Sequence, residues 1–327
     1  MSSNTVLGID IGSDRLKLAL VSNGRVMKTA YADMPENLIQ DSRFISVETM
    51  ATLISQTMKE SGIRAGSAAV ILPGDLVYVK NVDVPLMTEE QLAYNLPFEF
   101  NDYITSEVEN YAFDYAVIDR DEENLHLLAV GVEKSLVEEL ETVLRKAGLR
   151  LVKTAPALCT YISLIRSRID TLKQVTDEFG ILDLGYSSIT MYMYKGDQYI
   201  ATRAFDMGLS QLDDIIADKY GVEKHLAHTY VLNDFENCLS SEECRSFYDN
   251  LAVELTRAIN FYQFSNQGSV LDNLWLCGGG AANQALVSTL DETVDADLHN
   301  ASELVPDGER INECNTFVQA VGITLEI

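Results

Sequence analysis

The segments GIDIGSDRLKLALV (residues 8–21) and ILDLGYSSITMYMY (residues 181–194) decide the fold of this chain. Each alternates apolar and polar residues and contains an Asp-x-Gly triplet, Asp10 to Gly12 in the first copy and Asp183 to Gly185 in the second. A glycine-containing turn and a second strand that ends in Asp-Met follow each copy, which is typical of a β-hairpin. Because the matched residues keep one constant spacing, we interpret the segments as a duplication and predict two lobes with equivalent hairpins.

Length and charge limit the classes of protein to consider. The chain has 327 residues, of which 47% are hydrophobic, so it is long enough for two packed α/β lobes. Its 24 basic and 50 acidic residues leave a formal net charge of −26. This charge repels nucleic acid and anionic lipid headgroups, so we expect no nucleic-acid partner and no direct membrane insertion. A basic or apolar partner segment is favoured, although an acidic surface also serves solubility.

Signals for export, for membrane insertion and for metal binding are weak in this sequence. The amino terminus lacks the basic and apolar regions of a signal peptide, and no apolar run approaches the roughly 20 residues that span a bilayer. The five cysteines and four histidines fit no zinc or redox spacing. We therefore expect a cytoplasmic protein with reduced, mostly buried thiols.

Local signals predict the domain organisation. Helical spacing over residues 47–61 ends at Gly62, and Thr88-Glu-Glu-Gln91 is a capping box that opens a helix before two strands joined by a charged turn. These elements predict a small α+β insert. We expect a first lobe over residues 1–178 with the insert at about 84–150, and a second lobe over 179–327 with a helical subdomain at about 208–266.

Paired Asp-x-Gly hairpins suit a polyphosphate bound with Mg²⁺. Glycine lets backbone N–H groups approach phosphate oxygens, and Mg²⁺ needs only one or two carboxylates because it keeps most of its water. We therefore predict that Asp10 and Asp183 hold Mg²⁺ through water and that Gly12 and Gly185 face the phosphates. The polar side chains next to them are candidates for the same phosphates: Ser13 and Lys17 in the first hairpin, Ser187 and Ser188 in the second. Each residue alone is equally well explained as an ordinary turn residue, so the prediction rests on the duplicated pair.

A third glycine-rich segment follows the predicted strand over residues 274–277. Gly278, Gly279 and Gly280 lead into a predicted helix over residues 281–290, and a flat glycine backbone at a helix amino terminus suits an adenine or ribose. Alone, the segment is also consistent with a tight strand-to-helix turn. In the order hairpin, hairpin, glycine turn, it completes a nucleotide cleft between the predicted lobes.

This order of motifs resembles the actin/hexokinase superfamily of ATPases, whose α/β fold is ribonuclease H-like. Together with the insert in the first lobe, it is similar over essentially the whole chain to one branch, the PilM family of type IV pilus assembly proteins, a relative of the division protein FtsA. The resemblance is carried by residues 6–21, 86–103, 128–148, 182–185, 203–208, 255–262 and 276–280.

The resemblance implies a cytoplasmic actin-like adaptor that binds ATP with Mg²⁺. In that family a groove of the insert and the first lobe receives the cytoplasmic N-terminal tail of the membrane protein PilN. A PilN-like partner and a location peripheral to the inner membrane are therefore implied, with other pilus assembly proteins as further partners. The resemblance implies that residues between Pro73 and Tyr103 line this groove, with Leu96, Phe98, Phe100 and Tyr103 as candidates. Plain core packing explains each of these residues equally well.

The chain departs from the family pattern at two places in the second lobe and at one in the first. It has Gly208-Leu209 where relatives have two glycines, so only Gly208 stays a nucleotide-site candidate, and it has Ala227-His228…Val231 where relatives have Ala-Glu…Lys. The stretch over residues 154–159 holds no acidic residue, although the superfamily often places there the group that orients the attacking water. We therefore predict ATP binding with weakened nucleoside contacts, and weak or absent hydrolysis.

Two other functions fit the same fold. An FtsA-like filament protein carries a carboxyl-terminal amphipathic membrane helix, whereas this sequence reads Gly322-Ile-Thr-Leu-Glu-Ile327 at its end, without a basic amphipathic tail. A small-metabolite kinase needs a general base near its substrate, and Asp75 and Asp102 are unremarkable candidates for that role. The adaptor is therefore the preferred interpretation.

Overall fold

The structure, a computed structural model, describes residues 5–104, 107–172 and 176–325. The first half of the chain forms β1 (Thr5–Ile11), β2 (Arg15–Ser22), β3 (Arg25–Asp33), β4 (Ile39–Gln40), β5 (Arg43–Phe44), α1 (Val47–Ser61), β6 (Ser67–Leu72), β7 (Val77–Pro85), α2 (Glu89–Asn95), β8 (Tyr111–Arg120), β9 (Asn124–Glu133), α3 (Lys134–Lys146), β10 (Arg150–Pro156) and α4 (Ala157–Leu172). The second half forms β11 (Glu178–Leu184), β12 (Ile189–Lys195), β13 (Gln198–Phe205), α5 (Ser210–Tyr220), α6 (Lys224–Leu232), α7 (Glu242–Ser265), β14 (Asn273–Cys277), α8 (Gln284–Thr293), β15 (Asp297–Asn300) and α9 (Cys314–Gly322).

The chain divides into two compact units. The first takes in the chain up to Ile11, then Leu16–Thr160 and the stretch that begins at Ile323. The second takes in Gly12–Arg15 and Tyr161–Gly322. The turn between β1 and β2 is therefore assigned to the second unit, as is Asp183. The lobe boundaries expected from the sequence stay a prediction.

The two large sheets have the same strand order. One runs β10-β6-β1-β2-β3 and the other β15-β14-β11-β12-β13. In each, a three-stranded antiparallel meander begins at the repeated segment, and its first strand also pairs in parallel with a strand from later in the chain. The duplication seen in the sequence is thus a duplication of topology. Asp10 and Asp183 occupy the same place in the two sheets, one residue before the end of β1 and of β11.

Local sequence signals account for the bounds of the helices. Helix α1 begins after Ser46, whose side chain accepts a hydrogen bond from the amide of Thr49, and ends at Gly62 in the left-handed conformation (φ +67°). The predicted end at Gly62 is confirmed. The predicted capping box before α2 is also confirmed, because Thr88 and Gln91 each bond the backbone of the other.

Strands β7, β9 and β8 form a separate three-stranded antiparallel sheet within the first unit. Its core is apolar and is made with α2 and the 3-10 helix that follows α2. The buried members are Val82, Val84, Leu92, Leu96, Phe100, Ile104, Tyr111, Leu125, Leu127 and Ala129. The insert therefore has its own hydrophobic core, which fixes the residues that stay exposed on its surface.

The segment after the three glycines differs from the prediction. The residues Gly279–Ala282 form a 3-10 helix, and α8 begins only at Gln284, where Asn283 caps it by accepting a hydrogen bond from the amide of Leu286. Glycine disfavours the α-helix and Asn is a preferred cap, so the start of the helix moves to the cap. The glycine segment is thus a 3-10 turn rather than the first turn of an α-helix.

Candidate functional site

Asp10 forms a charged pair within the first unit. It lies opposite Lys17 in the β1–β2 register, and the Lys17 ammonium donates a hydrogen bond to Asp10 Oδ2 at 2.9 Å. The Asp10 residue is only 8% exposed, so the cation compensates a largely buried carboxylate. Both residues were predicted to serve a nucleotide, and the structure shows each of them bonded to the other.

Asp183 is oriented by Gln319, which also bonds Tyr161, and neither residue was a site candidate from the sequence. The side-chain amide of Gln319 in α9 donates to Asp183 Oδ2 and to the hydroxyl of Tyr161 in α4, the latter at 2.9 Å. Tyr161 is fully buried, with its hydroxyl 3.2 Å from Cys277 Sγ. Burial holds the pKa of Tyr161 well above its usual value, and the Asp183 charge adds to that effect, so the phenol stays neutral. The amide of Gln319, in the otherwise apolar run Phe-Val-Gln-Ala-Val, was the available signal.

The glycine segment comes up against the Asp183 carboxylate. Gly278 has φ +82°, and a Cβ built on it would lie 2.5 Å from Asp183 Oδ1 and 2.7 Å from the Leu184 carbonyl oxygen. A Cβ on Gly280 would lie 2.7 Å from that of Leu184, whereas one on the exposed Gly279 would meet nothing within 4 Å. The structure thus brings Asp183 and the glycine segment together. Both were predicted from the sequence to belong to one nucleotide site.

The turn between β11 and β12 is bonded to the start of α5. The amide of Leu209 donates to the Gly185 carbonyl at 3.1 Å, and the amide of Ser210 donates to the Tyr186 carbonyl at 2.9 Å. A Cβ on Gly208 would lie 2.4 Å from that Tyr186 oxygen, so only glycine permits this approach. The predicted phosphate-site residues Ser187 and Ser188 are both exposed on this turn.

The turn between β1 and β2 is closed by the amide of Gly12, which donates to the Arg15 carbonyl at 3.0 Å, and it leaves Ser13 exposed. Asp14 of this turn contacts His228 of α6, with Asp14 Oδ1 3.2 Å from His228 Nε2. In the sequence, His228 stands out only as a departure from the family pattern. Its contact with Asp14 was not foreseen.

His228 lies between two carboxylates. Its Nδ1 is 3.0 Å from Oδ2 of Asp213, a fully buried residue of α5 that also accepts a 2.6 Å hydrogen bond from the hydroxyl of Tyr186. The rings of Tyr186 and His228 meet edge to face, 5.4 Å apart. Hydrogen bonding to Asp14 and then to Asp213 raises the pKa of His228 to about 10, although burial opposes the shift. The imidazole is therefore a cation at neutral pH.

The four predicted groove residues fall into two pairs. Leu96 and Phe100 are 2% and 0% exposed and belong to the core of the insert, which corrects the expectation that they line a groove. Phe98 and Tyr103 are 56% and 50% exposed. Tyr94, which the sequence analysis did not select, is 73% exposed and meets the Phe98 ring edge-on at 5.9 Å. We call Tyr94, Phe98 and Tyr103 the aromatic surface of the insert.

The described parts of the chain hold neither a membrane-spanning helix nor a cluster of metal ligands. Over residues 5–104, 107–172 and 176–325, no helix is both long and apolar enough to cross a bilayer. Within those same ranges, no group of three or more His, Cys, Asp or Glu residues is arranged to hold a metal ion. An ion bound mainly by water and phosphate, with a single carboxylate from each hairpin, does not need such a group.

The two large β-sheets have the same strand order, and each carries an Asp-x-Gly motif where the repeated strand ends. Together with the glycine turn against Asp183, this α/β arrangement defines an actin-like ATPase fold. The chain belongs to the PilM family, since the family described as type IV pilus assembly protein PilM matches residues 8–313. The family and the fold class predicted from the sequence are thereby confirmed.

Solved structures agree with this fold. A PilM–PilN type IV pilus biogenesis complex is similar with a TM-score of 0.81 and 22% identity, over 98% of this chain and 97% of that one. The ethanolamine utilization protein EutJ from Carboxydothermus hydrogenoformans is similar with a TM-score of 0.62 and 12% identity, over 98% and 89% of the two chains. At these identities the likeness concerns the fold.

Proposed function

We propose that this type IV pilus assembly protein is an adaptor that binds ATP with Mg²⁺ and the cytoplasmic N-terminal tail of a PilN-like inner-membrane protein. The nucleotide half of this proposal, the binding of ATP with Mg²⁺, rests on the approach of Gly278 to the Asp183 carboxylate. This approach brings together two sequence motifs that are separated by most of the second unit. The observation that carries the partner half is the aromatic surface of the insert.

The residues of the second unit fit a nucleotide. Gly279 is exposed and has open space where a side chain would be, so its backbone is accessible to an adenine or a ribose. Ser187, Ser188 and Ser13 present hydroxyls and turn amides suited to phosphate oxygens. Asp183 would hold Mg²⁺ through water, and the ion would neutralise phosphate charge beside this acidic chain. The participation of Asp10 and Lys17 stays a prediction.

We propose binding without efficient turnover. Hydrolysis needs a group that orients the attacking water, and residues 154–159 supply no carboxylate. Cys159 is a poor substitute, since burial raises the pKa of its thiol to about 11. The nucleotide would then act as a ligand that stabilises one state of the adaptor, with its effect set by how tightly it binds that state.

The nucleotide half is tested by thermal unfolding of the purified protein with and without Mg²⁺-ATP. A ligand at about 100 times its Kd adds about 2.7 kcal/mol to the free energy of unfolding, which raises the Tm by several degrees. Asp183→Asn should abolish that rise, whereas the exposed Asp206→Asn should preserve it. A wild-type protein freed of co-purified nucleotide that shows no rise would contradict the proposal.

The partner half rests on exposure and charge. Three large aromatic side chains stand exposed on one small insert, and aromatic residues are enriched among those that dominate protein interfaces. The net charge of −26 favours a tail that combines apolar side chains with basic ones. Docked on the insert, such a tail would hold the adaptor at the inner membrane on the cytoplasmic side.

Fluorescence anisotropy with a labelled PilN N-terminal peptide tests this half. Phe98→Ala and Tyr94→Ala should each raise the peptide Kd about tenfold or more, the effect expected of an interface residue that matters. Phe264→Ala is the matched control, because Phe264 is 88% exposed on α7 of the second unit. Equal losses in Phe98→Ala and Phe264→Ala, or no loss in the insert variants, would reject the aromatic surface as the docking site.

A further inference from the structure

We infer that His228 is a positioning residue that fastens the Gly12–Arg15 turn to helices α5 and α6 of the second unit. One imidazole contacts a carboxylate on each side, Asp14 Oδ1 at 3.2 Å from Nε2 and Asp213 Oδ2 at 3.0 Å from Nδ1. The three residues come from the β1–β2 turn, from α5 and from α6. A single side chain therefore bridges segments that are about 200 residues apart in sequence.

Asp213 is the fixed end of the bridge that Asp14, His228 and Asp213 form. Asp213 is fully buried, and its Oδ2 accepts hydrogen bonds from both Tyr186 and His228, while its Oδ1 is buried without a hydrogen-bond partner. A buried carboxylate in this condition requires a nearby cation, since burial without compensation is costly. His228 supplies that cation, and Asp213 in turn fixes the ring.

The bridge needs the protonated ring. Both contacts are to acceptor-only carboxylates, and a neutral imidazole carries one N–H whereas the imidazolium carries two. The groups that face His228 are Asp14 from the turn, Asp213 from α5 and the neutral phenol of Tyr186 from the β11–β12 turn. Their combined effect is the raised pKa of about 10, so the two-donor form is present at neutral pH.

Fastening the turn prepares it for a ligand. Gly12 and Ser13, the proposed phosphate-binding residues of this turn, lie one or two positions from Asp14. A turn that is already ordered does not lose conformational entropy on binding, which raises affinity. This consequence rests on the proposed nucleotide function, whereas the bridge itself does not.

Amide hydrogen exchange of the nucleotide-free protein tests the bridge directly. In His228→Gln, which removes the cation, the amides of the Gly12–Arg15 turn should exchange about tenfold faster, because local opening becomes easier. His225→Gln is the matched control, since His225 is an exposed residue of the same helix. Unchanged exchange of the turn in His228→Gln would overturn the inference.

Two further measurements separate positioning from general stability. In Asp213→Asn the pKa of His228, followed by NMR, should fall toward its usual value near 6.5, because one of the two carboxylates that raise it is removed. Asp14→Asn should speed exchange of the turn as His228→Gln does, and the double variant should add nothing further, because both remove one contact. Asp14→Asn leaves the buried carboxylate intact, so it decides the question even where His228→Gln folds poorly. Additive effects would overturn the inference.

Nucleotide affinity is the last measurement. If the wild type binds Mg²⁺-ATP, His228→Gln should raise the Kd for Mg²⁺-ATP about fivefold or more, and His225→Gln should leave it unchanged. An unchanged affinity in His228→Gln overturns the preparatory role. If the wild type binds no nucleotide, the proposed function fails, and hydrogen exchange still decides whether His228 fastens the turn.

Discussion

Asp183 and Gly278 approach each other so closely that position 278 admits no side chain. A Cβ there would lie 2.5 Å from Asp183 Oδ1, and the backbone of Gly278 has φ +82°. Both facts demand glycine, the first by contact distance and the second by conformation. The strand that carries the carboxylate and the strand that leads into the glycine turn are neighbours, with Asp183 paired to Cys277.

Substitution of two adjacent glycines tests this relationship. Gly278→Ala should lower the free energy of unfolding by at least about 1–2 kcal/mol, because alanine is strained at this φ and its methyl group collides with the carboxylate. Gly279→Ala, with open space and no left-handed φ, should stay within about 0.5 kcal/mol of wild type. Urea unfolding measures both, and equal stability of the two variants would contradict the geometry.

Phe100 lies in the core of the insert and Phe98 on its surface, so their replacement by alanine should affect the free energy of unfolding very differently. Phe100 is fully buried with its ring centre 5.2 Å from that of Phe113, so Phe100→Ala should lower the free energy of unfolding by about 3–5 kcal/mol. Phe98→Ala should change it by no more than about 0.5 kcal/mol, because the side chain is exposed. Chemical denaturation of the two variants, followed by circular dichroism, distinguishes them. A large loss from Phe98→Ala would show that Phe98 also supports the fold.

A carboxylate at the start of β11 predicts acid sensitivity. Burial acts to raise the pKa of Glu178, but hydrogen bonds from Lys195 (2.8 Å), Ser269 (3.2 Å) and Tyr262 (3.3 Å) outweigh it, and the pKa is lowered. The lowered pKa adds stability at pH values above the ordinary glutamate pKa of about 4.5, and this stability is lost as the pH falls through the folded-state pKa.

Replacement of Glu178 checks this contribution. Glu178→Gln should lower the free energy of unfolding by about 1–3 kcal/mol at pH 7, and its deficit relative to wild type should shrink in acid. The exposed Glu122→Gln serves as the control and should show neither effect. Urea titrations at several pH values measure both, and a deficit for Glu178→Gln that does not change with pH would contradict the prediction.

The positive charge of His228 predicts that stability falls as the pH rises into the alkaline range, the opposite of the acid effect expected at Glu178. A pKa raised from 6.5 to about 10 contributes stability that is fully present below pH 6.5 and is lost as the pH rises through about 10. The Tm of wild type should therefore exceed that of His228→Gln by several degrees at pH 7, and the difference should narrow toward pH 10. Differential scanning calorimetry of the pair measures this, because groups common to both proteins cancel. A constant difference across that range would contradict a raised pKa.

Local signals predicted the helices and strands well because each depends on residues a few positions apart. The stop at Gly62 and the capping box of Thr88 and Gln91 are contacts within one turn of backbone, and the sequence displays all the partners. The helix after the glycines was placed too early, since its start depends on Asn283, a cap that was overlooked. The short strand β15 was not predicted, because its pairing with β14 leaves little pattern in an acidic stretch.

The amino-acid sequence by itself determined the duplication, the family and the pairing of an Asp-x-Gly turn with a glycine turn. These features recur as repeated residues along the chain, and repetition is visible without coordinates. Only the tertiary structure decided which side chains complete the site and which surface is exposed. Gln319 reaches Asp183 and His228 reaches Asp14 across long stretches of sequence, and Phe98 is exposed while Phe100 is buried. Such outcomes depend on how distant segments pack, because packing sets both the contacts between remote residues and the direction in which each neighbouring side chain points.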